Sequence, residues 1–294
     1  MRFMLYICSR LFDVMINLLK YILPFVFLGF AASVRSEVKQ TFDSKYYEYV
    51  DSAEQCTAND DLAGAESFLI KALRLEPTNY NNALIISNLA TIQRMQGKQT
   101  EALNNYSLAI NMMPKAVTFI NNRGLLYLEM DSINLAERDF DRVIDLEPKN
   151  VQARFHKILI EIRRNQLDDA KRDLDDLNVI SPKSDEYFEA QARWLQAKHK
   201  FSDAILAYTA LLKKEKNVDW YICRAECYLA RKNYNAALED IAVALEYEPE
   251  NGFLYLLKAK IRKEQYELSD CEKLLKIAEQ YGISREECEL FINM

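Results

Sequence analysis

Residues 121–148 read NNRGLLYLEMDSINLAERDFDRVIDLEP. Within this stretch the small Ala136 is followed one helical turn later by Phe140 and twelve residues later by Pro148. The same phase recurs along the chain. Ala65, Ala102, Ala136, Ala170, Ala204 and Ala237, then Cys271, follow one another at steps of 37, 34, 34, 34, 33 and 34 residues. Four residues after each stands a bulky apolar side chain: Leu69, Tyr106, Phe140, Leu174, Tyr208, Ile241 and Leu275. Residues at that spacing share a helix face, so a second helix can approach closely at the small residue. Proline occupies the twelfth place in five of seven units, at Pro77, Pro114, Pro148, Pro182 and Pro249. It ends a helix by removing a donor and clashing with the preceding turn. A self-similar period near 34 residues predicts a stacked helical-hairpin solenoid.

The pattern resembles that of the tetratricopeptide repeat family, W-x2-L-G-x2-Y, then A-x3-F, then P. The third unit carries Gly124, Tyr127, Ala136, Phe140 and Pro148 in the family's places, and the sixth carries Ala225, Tyr228, Tyr234, Ala237 and Pro249. Departures occur in the fourth unit (Ile158, Glu161), the fifth (Lys216) and the seventh (Arg262, Ile283). The resemblance implies an all-α, right-handed α-solenoid of about seven hairpins over residues 37–284. The repeats run approximately over 46–79, 83–116, 117–150, 151–184, 185–217, 218–251 and 252–284, and a capping helix over 285–294 closes the stack. Ser284 with Glu287 reads as the start of that last helix, since an S-x-x-E pair satisfies exposed helix-start amides. It predicts a short helix through Phe291, with Cys288, Phe291 and Ile292 against the last repeat.

The first 36 residues differ in kind. Tyr21 to Val34 is an uncharged apolar run, preceded by Lys20 and closed by Ala31, Ala32 and Ser33. At about 1.5 Å per residue its 14 residues fall short of a roughly 30 Å hydrocarbon core, which fits a secretory signal. Extension upstream through Val14, Met15, Ile16, Leu18 and Leu19 gives the alternative, an uncleaved anchor over residues 14–34. A start at Met15 would leave MINLLK directly before the apolar run. Cys8 precedes that run and the next cysteine is Cys56, so the cysteine pattern of a lipid-anchored precursor is not present. Export to a bacterial periplasm or cell envelope is the expected setting.

Composition excludes several function classes. Half the residues are apolar and 28% are charged, as suits a folded helical protein. The formal charge of −6 becomes −9 once residues 1–36 are removed, and no basic footprint for nucleic acid is visible. The densest basic run, Lys258, Lys260, Arg262 and Lys263, reads as a solvated helix face. Cys56 and Cys271 read as small apolar filling, and so do Cys223 and Cys227, although their i, i+4 spacing also suits a metal or redox pair. No phosphate loop, nucleophile elbow or zinc-protease helix is present, and His156 and His199 fall in different repeats. The acidic pairs Asp168–Asp169 and Asp175–Asp176 diverge around a helix and read as surface. Neither an enzyme nor any cofactor or metal is expected.

What remains is recognition of a protein or peptide. In the family, positions 2, 5, 9 and 12 of each first helix line a concave groove. Counting from Val117 and Val151 gives Asn121, Leu125, Leu128, Phe155, Leu159 and Ile162 as an apolar floor. Ser87, Thr91 and Arg94 stand on one side of it, and Glu189, Arg193 and Gln196 on the other. The same residues equally suit ordinary packing. Asn121, Leu125, Leu128, Phe155, Leu159, Ile162 and Arg193 are the candidate groove residues. Asn121 could bond an extended backbone through both donor and acceptor. Val50 and Glu54 replace the lysine and asparagine that carboxylate-clamping members would carry. A membrane-anchored envelope assembly factor is the alternative reading, and an enzyme or small-ligand binder the remote one.

Overall fold

The computed structural model describes residues 44–293, which form fifteen α-helices, with no strand among the described residues. In chain order they are α1 (Ser44–Ala58), α2 (Leu62–Leu75), α3 (Asn82–Met95), α4 (Gln99–Met112), α5 (Val117–Glu129), α6 (Ile133–Leu146), α7 (Val151–Arg163) and α8 (Leu167–Ile180). They continue with α9 (Asp185–Ala197), α10 (Phe201–Leu212), α11 (Val218–Ala230), α12 (Tyr234–Tyr247), α13 (Gly252–Glu264), α14 (Leu268–Gln280) and α15 (Arg285–Asn293). Odd helices pair with the even helix that follows, making an all-α solenoid of hairpins. Two compact units divide the described residues, one ending at Ala153 and one starting at Arg154. The signal, anchor and Met15-start readings concern residues outside those described. No helix among the described residues is long and apolar enough to cross a membrane.

The periodic alanines are the points of closest approach. Ala65, Ala102, Ala136, Ala170, Ala204 and Ala237 are wholly buried, as are Leu69, Tyr106, Phe140 and Tyr208 one turn on. Opposite them, the first helix supplies a second small residue in the third and sixth repeats, whereas the fourth has the buried Ile158 there. A Cβ built on Gly124 would stand 2.9 Å from a ring carbon of Phe140, so the hairpin closes there because one partner has no side chain. Where the bulky partner is the smaller Ile241, Ala225 fills the place, and both are buried.

Each hairpin turns through a residue with positive φ. Asp60, Gly97, Asp131, Asn165, His199, Lys232 and Tyr266 have φ between 54° and 76° and repeat with the period of the alanines. The next amide in each case bonds back to the carbonyl five residues earlier at 2.8–2.9 Å, closing the helix with a Schellman-type bond. Only Gly97 meets that conformation without strain. His199 therefore serves as a turn residue.

The turns between hairpins use a second device, glutamate-proline-x-asparagine. Asn79, Asn150 and Asn251 donate from Nδ2 to Oε2 of Glu76, Glu147 and Glu248 at 2.7, 2.9 and 2.7 Å, locking the chain after each proline. Across hairpins, Arg123 donates from Nε and Nη2 to the two carboxylate oxygens of Asp139 at 2.8 and 2.7 Å, and from Nη1 to Ser107 at 3.2 Å. Arg224 repeats the geometry with Asp240 at 2.8 and 2.6 Å and Thr209 at 2.9 Å. Each arginine so ties three consecutive helices. Burial of the carboxylates, only 7% and 6% exposed, makes the bidentate pairs count.

The C-terminal helix starts on a reciprocal cap. The Glu287 amide donates to Ser284 Oγ at 3.2 Å, and the Ser284 amide to Glu287 Oε2 at 2.9 Å. Cys288, Phe291 and Ile292 are buried. One expectation is corrected here, because Lys260 is not on a solvated face. It is 7% exposed, and its ammonium donates to the carbonyls of Phe291 and Ile292, both at 3.2 Å, where the helix end carries negative partial charge. Lys263 reaches Ile292 O at 3.1 Å beside it.

Two predictions follow from these devices. Lys232→Gly raises unfolding stability by up to about 1 kcal/mol, whereas Gly97→Val lowers it by at least that much, as read from chemical denaturation. Asp240→Ala strands the Arg224 guanidinium and costs about 3 kcal/mol in the same measurement, while Lys232→Gly in that background restores part of it.

Candidate functional site

The seven candidate residues are distributed over both units. Asn121, Leu125 and Leu128 share one face of α5, at the i, i+4, i+7 spacing. Leu125 and Leu128 are buried, and Asn121 is half-buried with its Oδ1 enclosed and without a hydrogen-bond partner among the described residues. In the other unit Phe155, Leu159 and Ile162 share one face of α7 and are buried, Phe155 edge-on to the ring of His156 at 5.3 Å. Burial holds the His156 imidazole down to about 4, so it is neutral at physiological pH. The apolar candidates are therefore enclosed.

Arg193 sits in a polar cluster that the helix phase builds from two neighbouring hairpins. Its Nε donates to Glu189 Oε1 at 2.8 Å, and Nη2 lies 2.7 Å from the same oxygen. Gln196, one turn further along α9, donates from Nε2 to Glu226 Oε2 on α11 at 2.9 Å. The Tyr208 hydroxyl of α10 donates to Gln196 Oε1 at 2.9 Å, which fixes the amide's orientation. Glu226 Oε1 and Asp219 Oδ1 are enclosed without a hydrogen-bond partner among the described residues. Burial pushes the Glu226 carboxyl up to about 8 and the Asp219 carboxyl up to about 7, the pull of Arg193 opposing it in both. Cys223 and Cys227 are buried free thiols held well above their ordinary range by desolvation, which makes them packing groups and poor nucleophiles.

Glu226 and Asp219 were not picked out in the sequence, although the signal was there. Counting from Val218 as for the third and fourth units puts Asp219 at position 2 and Glu226 at position 9. The surface acids behave otherwise. Asp169 pairs with Arg172 and Asp175 with Lys171 on the same helix, while Asp173 and Asp176 reach Arg154 at 2.8 and 3.3 Å.

Comparison with known proteins agrees with this architecture. The tetratricopeptide repeat family model matches residues 121–177 and 189–251. Over those residues the chain is built of tetratricopeptide repeats. Its fold is similar to that of a tetratricopeptide repeat protein from Parabacteroides merdae ATCC 43184, with 27% identity and a TM-score of 0.72 over 85% of this chain and 98% of that one. Photosystem I assembly protein Ycf3 of Cyanophora paradoxa is 29% identical over 143 residues, 46% of this chain and 73% of its own length. A UDP-N-acetylglucosamine–peptide N-acetylglucosaminyltransferase of Giardia intestinalis is 34% identical over 85 residues, 29% of this chain. The chain spans only 6% of that enzyme's length.

The raised carboxyls give a pH prediction. A carboxyl held above its unfolded value near 4.5 favours folding below that value, and the advantage is lost as pH rises toward about 8. Glu226→Gln keeps the shape and removes the titration. Its melting temperature should exceed the wild type's by more at pH 8 than at pH 5, and an equal difference at both would rule out a buried, raised Glu226.

Proposed function

We propose that this tetratricopeptide-repeat protein is a non-catalytic interaction scaffold that receives a partner's polypeptide segment along the first-helix faces of its hairpins. One observation carries the reading. Arg94 Nη1, Asn121 Oδ1, Asp219 Oδ1 and Glu226 Oε1 all stand at positions 2, 5, 9 or 12 of a first helix, enclosed and without a hydrogen-bond partner among the described residues. An unmade hydrogen bond at a buried polar atom costs about 1–3 kcal/mol, so the first helices of each unit, one keeping Arg94 and Asn121 and the other Asp219 and Glu226, are poised for groups supplied from outside. A peptide backbone and its side chains supply such groups.

The repeat architecture supports an assembly or scaffolding role and brings no reaction chemistry with it. Export, with residues 1–36 as a signal, is the setting that the apolar run from Tyr21 to Val34 favours; retained, the same run would hold the repeats at a membrane as an assembly factor.

Crosslinking capture from native cells tests both parts. An Arg94→Met, Asn121→Ala variant keeps the apolar face intact and should lose the partner set captured by wild type. Loss of no partner would remove recognition from this face. The amino-terminal sequence of the captured chain should begin after the apolar run, whereas an intact start would establish the anchored form.

A further inference from the structure

The fourth hairpin departs from the others at three positions that act together. Counting from Val117 and from Val218, positions 7, 11 and 23 of the third and sixth repeats hold arginine, tyrosine and aspartate: Arg123, Tyr127 and Asp139, then Arg224, Tyr228 and Asp240. In both, the guanidinium meets the carboxylate and lies over the tyrosine ring, 5.7 and 5.9 Å from its centre. Arginine and tyrosine keep one charge state between pH 5 and 8, so these clamps do not respond to pH there through either residue. Counting from Val151, the same three positions of the fourth repeat are Lys157, Glu161 and Asp173. An acid stands where the other two repeats keep an aromatic ring.

Glu161 is 5% exposed on α7, and its Oε2 is enclosed without a hydrogen-bond partner among the described residues. Asp173 of α8 is within hydrogen-bonding reach of its carboxyl. The neighbouring cations serve Asp173. Arg154 Nη1 donates to Asp173 Oδ1 at 2.8 Å and reaches Asp176 Oδ2 at 3.3 Å, while Lys157 Nζ lies 3.5 Å from Asp173 Oδ2. Two adjoining buried carboxyls cannot both ionise without a large cost, so Asp173, met by both cations, takes the charge and Glu161 keeps the proton. Protonated, Glu161 donates to Asp173 and joins the two helices. Ionised, it repels Asp173 across the same gap.

We propose that the fourth hairpin is a pH-responsive joint, in which loss of the proton held between Glu161 and Asp173 loosens α7 from α8. Since α7 carries Phe155, Leu159 and Ile162, the joint governs how firmly that face is held.

The charged groups bearing on Glu161 are Asp173 and Asp169 from α8 and Lys157 from its own helix, with Arg154 beyond Asp173. His156 is kept neutral by burial and adds no charge in this range. Burial, and after it the Asp173 carboxylate, holds the Glu161 carboxyl up to about 8 in the folded hairpin. In an opened hairpin it returns toward its ordinary value of 4.5. Opening therefore releases a proton between those two values, and the hold of α8 on α7 weakens as pH rises from 4.5 to 8.

The test is amide hydrogen exchange of the full chain followed helix by helix, with rates corrected for the intrinsic pH dependence of exchange. In wild type, protection of α7 and α8 should fall at least about tenfold between pH 6 and 8, while that of α5 and α6 changes by less than about threefold. Glu161→Gln keeps the shape and donates to Asp173 at every pH, so α7 and α8 should then also change by less than about threefold. A Lys157→Arg, Glu161→Tyr double variant installs the residues of the third and sixth repeats and should flatten the profile in the same way, which serves if the glutamine variant folds poorly. No fall in wild type, equal falls in the third and fourth hairpins, or a fall that persists in a folded variant would each overturn the joint.

Discussion

The closeness of two helices at one small residue sets the geometry of every hairpin. At Gly124 the backbone of α5 lies so near the Phe140 ring that an added Cβ would stand at 2.9 Å. Approach at that range lets the whole bulky side chain be covered, and Phe140 has no exposed surface. Dispersion and hydrophobic burial grow with such contact, and neither survives much separation. The short left-handed turns are a consequence. Helices this close leave room for only a few linking residues, and a positive φ is the way to reverse direction in that space.

Much of this was legible in the sequence because it is repeated. A single alanine four residues before a phenylalanine says little, whereas seven small residues in one phase leave one architecture. The turn residues were less legible for an equally physical reason. Asp60, Asn165, His199, Lys232 and Tyr266 adopt one conformation with five different side chains, so composition does not mark it and only the period does. Lys260 was misread because a basic run on a helix looks alike whether solvated or capping another helix. The deciding partners, the carbonyls of Phe291 and Ile292, lie about thirty residues away along the chain.

The candidate site was half legible. Helix phase offered Arg193 and Asn121 as groove candidates together with the leucines, Phe155 and Ile162; the structure gives the first two enclosed polar atoms without a partner among the described residues and buries the rest. Phase tells which residues share a face, and it does not tell how deeply that face is covered. Asp219 and Glu226 escaped because an acid in a chain with 44 acidic residues carries no signal by itself. Their burial makes them distinctive, and burial is a property of packing.

Two kinds of buried charge in this protein make the contrast explicit. Asp139 and Asp240 are met by arginines that place two donors on two oxygens, and Ser107 and Thr209 take up a further donor, so those carboxylates are held in hydrogen bonds on both oxygens. Such pairs recur in the same register and serve the stack. Glu226 and Asp219 are buried to the same degree, yet each retains an oxygen without a donor. The two environments stand only a helix apart, Arg224 being two residues from Glu226 on α11. A sequence able to satisfy Asp240 completely was able to satisfy Glu226 as well, by a basic residue nearby or by leucine in its place. The incompleteness is local and chemically mixed, since among the described residues Arg193 Nη2 and Trp220 Nε1 are enclosed without a hydrogen-bond acceptor beside carboxyl oxygens without a donor, so what this packing lacks there is geometry rather than one kind of group.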